Sequence, residues 1–110
     1  MATGPRSVES ASLLQCAEKV IDGVAMDPVS ISNKLLEVGL VSTRLAATML
    51  NQSKESYDKA TELVLHVKKI IDGSPVKFKV FVNSLRSFWW LDGVVSLLDE
   101  SYNINKRNVC

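Results

Sequence analysis

His66 is the only histidine in the sequence. It is the one side chain here whose ordinary pKa suits proton transfer near neutrality. A general base also needs a group to act on within reach, and the sequence offers neither a second histidine nor an evident nucleophile beside it. Its helical register is shared with Lys59, Glu62 and Lys69, so it reads as a histidine on a solvated stripe. Cys16 and Cys110 are the only cysteines, too few for a disulfide framework or a metal quartet. Cys16 borders an apolar face and reads as a small buried hydrophobe. Glu18 and Asp22 stand four residues apart on one side of a helix. Carboxylates become an acid/base pair only when sheltered, and nothing marks these two as sheltered. The phosphate-binding loop, the dinucleotide turn, the nucleophile elbow and the C-x-x-C pair are all missing. No reaction, metal, cofactor or small-molecule substrate is therefore expected, and function is to be sought in the surface.

Two surface features carry information. The first is charge segregation under a formal net charge of +1 from 13 Lys+Arg and 12 Asp+Glu. Residues 9–37 sum to −3, residues 54–86 to +3 and residues 92–100 to −3. A near-neutral chain with patches of opposite sign is suited to contacts between copies. Where the patches are different surfaces, such a contact propagates as an open helix. The second feature is Phe88-Trp89-Trp90-Leu91. Neighbours on a helix lie about 100° apart, so the four cannot all face one core, and an aromatic is expected at the surface or at a helix corner. Tryptophan is enriched at interface hot spots.

The elements that must position these residues read as helices. Leu13, Ala17, Val20, Ile21 and Val24 mark a first helix over about 8–24, with a bend admitted at Gly23. Asp27-Pro28 restarts the chain as N-cap and first helical residue. Ile31, Leu35 and Val38 follow, and Gly39 stops this second helix. Ser42 caps a short third helix carrying Leu45, Ala46, Met49 and Leu50. Ser53 opens the longest helix, about 54–72, whose inner stripe is Tyr57, Ala60, Val64, Val67 and Ile71, widened by Leu63 and Ile70. Gly73 ends it, and Ser74-Pro75 repeats the cap-plus-proline device. Residues 76–80 alternate as a strand would, but Phe78, Phe81, Val82 and Leu85 give a longer helical pattern, so a fifth helix is expected. A sixth spans about 90–102, with Leu91, Val94, Val95 and Leu98 facing in. Residues 1–7 and 103–110 read as tails around a domain at 8–102.

Composition agrees with one folded domain: 110 residues, 46% hydrophobic and 23% charged. The near-zero charge argues against a general nucleic-acid binder. The longest apolar run is four residues, where a membrane helix needs about 20. No signal-peptide core or lipidation motif is read, so a reducing, cytoplasmic setting is expected. Asn51-Gln52-Ser53 matches a glycosylation acceptor, a pattern common by chance.

Three stretches carry a resemblance to a known family. They are Ile31-Ser-Asn-Lys-Leu-Leu-Glu-Val-Gly-Leu-Val-Ser42, Asp58-Lys-Ala-Thr-Glu-Leu-Val64, and Lys77-Phe-Lys-Val-Phe-Val-Asn-Ser-Leu-Arg86 followed by Trp90-Leu91. Over about residues 8–101 the chain resembles the death-fold superfamily, and within it most a caspase recruitment domain. The resemblance implies an all-α, six-helix antiparallel bundle without catalysis. It implies an adaptor in innate-immune or cell-death signalling, whose partners are copies of itself and other caspase recruitment domains, assembled into helical filaments. The family's commonest contact sets helices one and four against helices two and three. Carried over, it would use Lys19, Lys59 and Lys69 on one side and Asp27 and Glu37 on the other. Glu18 and Asp22 on helix one, and Lys34 and Arg44 on helices two and three, leave the polarity of that contact open. A second contact would use Asp72, Trp89 and Trp90. Death domains and death-effector domains share the fold, and a monomeric module holding a partner's helix is the alternative. A nucleic-acid surface at Lys68, Lys69, Lys77 and Lys79 is a further one.

Overall fold

Local chemistry sets the helix starts. A computed structural model describes residues 7–109, so most of the expected N-terminal tail, and Cys110, lie outside the described residues. Ser7, expected in that tail, caps α1 (Val8–Val24) by accepting the Ser10 N–H at 3.1 Å. Asp27 caps α2 (Pro28–Glu37), accepting both the N–H and the hydroxyl of Ser30 at 3.2 and 2.8 Å, and Pro28 supplies the first helical φ. Gly39, at φ +83°, ends α2. The Leu40 N–H returns to the Leu35 carbonyl and the Gly39 N–H to the Leu36 carbonyl, which closes a Schellman turn. Ser42 caps α3 (Thr43–Thr48) through the Leu45 N–H at 3.2 Å.

α4 (Ser56–Gly73) begins later than the expected 54, because Asn51 competes for Ser53. The Asn51 Oδ1 accepts the Ser53 N–H at 3.0 Å and its hydroxyl at 2.6 Å, holding Ser53 in a turn. The first turn of α4 is solvent-facing, so Tyr57 is exposed and not part of the inner stripe. Leu50, expected on the third helix, lies beyond the end of α3 and is exposed. α5 (Lys77–Leu85) is a helix, so the strand-like alternation at 76–80 is not realised. Ser74-Pro75 acts as a turn and not as a cap: the Lys77 and Phe78 N–H groups bond the Ser74 and Pro75 carbonyls. Trp89–Leu91 forms a 3-10 turn that feeds α6 (Asp92–Val109).

α6 runs seven residues past Tyr102, where a tail was expected from residue 103. Contacts with α1 hold the extension. Asn105 Nδ2 donates to Ser12 Oγ at 3.0 Å and to Gln15 Oε1 at 3.2 Å. Lys106 lies over the Tyr102 ring, and Lys106 and Arg107 place positive charge at the helix C-terminus.

Six helices with no strand among the described residues pack as a bundle. α1 is the hub, packing most extensively on α6 and α4. Leu13, Val20, Ile31, Leu35, Leu63, Ile71, Phe81, Leu85, Leu91 and Leu98 form the core, each almost fully buried. α1 continues without a break through Gly23, whose role is close packing: a Cβ there would lie 2.5 Å from Leu91 Cδ2. No helix among the described residues is long and apolar enough to cross a membrane.

Candidate protein-interaction surface

The Trp89 corner follows from the 3-10 turn. Tighter winding over three residues sends successive side chains in separate directions. Leu91 points fully into the core and Phe88 and Trp90 are half-buried, while Trp89 is 81% exposed. Trp90 is a structural anchor: its indole N–H donates to the Gly23 carbonyl at 3.0 Å. Trp89 packs edge-on against Trp90, with ring centroids 6.0 Å apart. The outer indole is thus held in place by one that the core fixes.

A second surface lies between α1 and α4. Leu14 and Leu65, 46% and 57% exposed, form an apolar floor flanked by Glu62, His66, Lys68, Lys69 and Asp72. Lys68 pairs with Asp72 at 2.8 Å, and Lys54 pairs with Glu62. Lys69 is exposed at this groove. His66 is half-buried beside it and not on a freely solvated stripe.

The predicted contact residues separate into groups. Glu37 and Arg44 are exposed on α2 and α3, and Glu37 makes only a 3.7 Å contact with Lys34. Lys59 is half-buried on α4. Asp27 is half-buried with its carboxylate committed to the cap of α2, which makes it a fold residue before a partner residue. Asp72 is exposed and held by Lys68. Lys19 is exposed but lies on the α6 side of α1, beside Asp22, Met26 and Trp90. The structure therefore does not bring Lys19 together with Lys69. Sequence reasoning missed Leu14, Leu65, Met26 and Leu97 as surface residues. Their signal was available: large apolar residues off the stripe that the rest of each helix buries.

Burial governs Cys16. It is 8% exposed, its Sγ lies 3.6 Å from the Leu97 carbonyl, and burial pushes its thiol above the ordinary range. Such a thiol stays protonated and unreactive. No group of His, Cys, Asp and Glu that could hold a metal forms among the described residues.

A third feature is a cleft of about 340 Å³ between α5 and α6. Pro75, Val76, Phe78, Val82 and Tyr102 line it, and the Arg86–Asp99 ion pair at 2.7 Å crosses its rim. Comparison with protein-family models, curated proteins and solved structures finds no match to this chain.

Proposed function

We infer that this chain is a non-catalytic interaction module of the caspase-recruitment-domain kind. It makes homotypic contacts with copies of itself and with other such domains, and stacks into helical filaments in cytoplasmic cell-death or innate-immune signalling. The observation that carries the reading is the exposed, pre-positioned Trp89 at the α5–α6 corner. A large aromatic fixed at the surface gains contact area on binding at little entropic cost. The α1–α4 groove supports it, offering Leu14, Leu65 and Lys69, while α2 offers the exposed Glu37.

Each exposed ion pair contributes only about 0–1 kcal/mol, so assembly needs several contacts per subunit and weakens as salt screens them. Lys69→Glu and Glu37→Lys should each weaken assembly, and mixing the two variants should partly restore it. Trp89→Ala should abolish it while leaving the melting temperature nearly unchanged. Sedimentation and negative-stain imaging across concentration and salt are the assay. A chain that stays monomeric throughout sinks the reading. The second reading, a monomeric module that holds a partner's helix, rests on the α5–α6 cleft, and a complex of one chain with one peptide seated there would favour it.

A further inference from the structure

α1 and α6 pack antiparallel. Ser12 meets Asn105, Gln15 meets Ser101, Cys16 meets Leu97 and Gly23 lies against Leu91. Towards the Gly23 end the seam opens to solvent as a shallow groove. Met26, Trp90, Val94 and Leu97 form its apolar part, and Lys19 and Asp22 stand on its α1 side. Met26 is 72% and Leu97 42% exposed, so the groove is an uncovered apolar surface. Neither Lys19 nor Asp22 enters an ion pair among the described residues.

The charge pattern selects the occupant. One cation and one anion lie three residues apart on α1 beside the same apolar strip. A purely basic or purely acidic partner would meet one attractive and one repulsive charge here. A partner that satisfies both must carry the two signs in reversed order. A twofold rotation of the same surface supplies that order, because in an isologous contact residue i meets j while j meets i. The antiparallel seam, with Cys16 level with Leu97 and Gly23 with Leu91, places Val94 at the level of Lys19 and Asp22, so an axis there sets the two Val94 side chains against each other.

We propose that the α1–α6 groove is the contact of a symmetric dimer of this chain, in which Lys19 of each copy faces Asp22 of the other across an apolar centre of Leu97, Val94 and Met26. The contact goes beyond the stacking inferred above and uses none of Leu14, Leu65, Lys69 or Glu37. It closes on two copies, whereas stacking through unlike surfaces stays open.

The test uses the full chain with Trp89→Ala, which on the reading above abolishes stacking and changes a residue outside the lining of this groove, so the two readings fail separately. Sedimentation equilibrium should show a monomer–dimer equilibrium. Lys19→Glu and Asp22→Lys should each weaken it roughly tenfold, since each converts two attractive pairs into two repulsive ones. The double variant Lys19→Glu/Asp22→Lys should bring it back to near the starting affinity. Met26→Glu, at a highly exposed position where folding is not at risk, should also weaken it. A monomer at every concentration overturns the proposal. So does a dimer indifferent to the single charge reversals, or a double variant no better than the singles.

Discussion

Replacing Gly23 by alanine sets helix propensity against packing, and the structure decides the sign. Alanine in a helix interior is favoured over glycine by about 1 kcal/mol. Gly23 lies inside α1 without a positive φ, so that gain is open to it. The new methyl, however, would sit 2.5 Å from Leu91 Cδ2 and 3.3 Å from Val94 Cγ2. Leu91 is fully buried and cannot swing outward. Overpacking of this kind costs about 1–3 kcal/mol. Displacing α6 also stretches the Trp90–Gly23 hydrogen bond, worth about 1 kcal/mol. The net is a loss of about 1–3 kcal/mol, or about 4–13 °C in melting temperature for a chain of this length. Gly93→Ala is the control: it lies in the first turn of α6, has no atom within 4 Å of a new Cβ, and should be neutral or mildly stabilising. Thermal and urea unfolding followed by circular dichroism and tryptophan emission would measure both. A Gly23→Ala protein as stable as the parent would refute the close-approach argument. If the argument holds, Leu91→Ala should cost less in the alanine background than in the parent, because the two changes share one contact.

Two further outcomes test the fold and its buried thiol. Gly39→Ala should cost about 1–2 kcal/mol in urea unfolding although nothing lies within 4 Å of the added methyl, because φ +83° is itself the strain. In a Cys110→Ala background, stability should decline as pH rises past the ordinary thiol range. There the unfolded chain releases the Cys16 proton while the folded one, with its raised pKa, retains it, and Cys16→Ala should lose this part of the decline.

Helix identities and most caps were legible in the sequence because they are set locally. Asp27-Pro28, Gly39 and Ser42 each act within four residues of themselves, and each does in the structure what its type suggests. Where two local devices compete, the sequence does not rank them. Ser53 could cap α4 or bond to Asn51, and the Asn51 contact wins. The end of α6 was hidden for another reason. Asn103, Asn105 and Lys106 read as a polar tail by composition, but Asn105 is held by Ser12 and Gln15, more than 80 positions earlier. Periodicity cannot report a polar contact between distant helices. Among the candidate contact residues, type and exposure were legible for Lys69 and Glu37, while the sequence expected an aromatic at the corner without choosing Trp89 over Trp90. The grouping of Lys19 with Lys69 was not, because a residue one position off a helix's midline belongs to one neighbouring groove or the other, and only the packing of α4 and α6 around α1 decides which.

The same packing ties the exposed surface to the core. An exposed tryptophan on a mobile corner would lose rotamer freedom when it met a partner, and that loss would subtract from its binding energy. Here Trp89 rests on Trp90, Trp90 bonds the Gly23 carbonyl, and Leu91 approaches α1 where Gly23 has no side chain. The glycine thus serves twice: its missing Cβ admits Leu91, and its carbonyl orients the indole that supports Trp89. Gly23→Ala should therefore weaken assembly by more than its loss of stability accounts for. At temperatures where nearly all of the variant is still folded, the unfolded fraction is too small to lower the assembling concentration, so a remaining defect reports the loosened corner. A folded Gly23→Ala chain that assembles as well as the parent would show that Trp89 needs no support from the core.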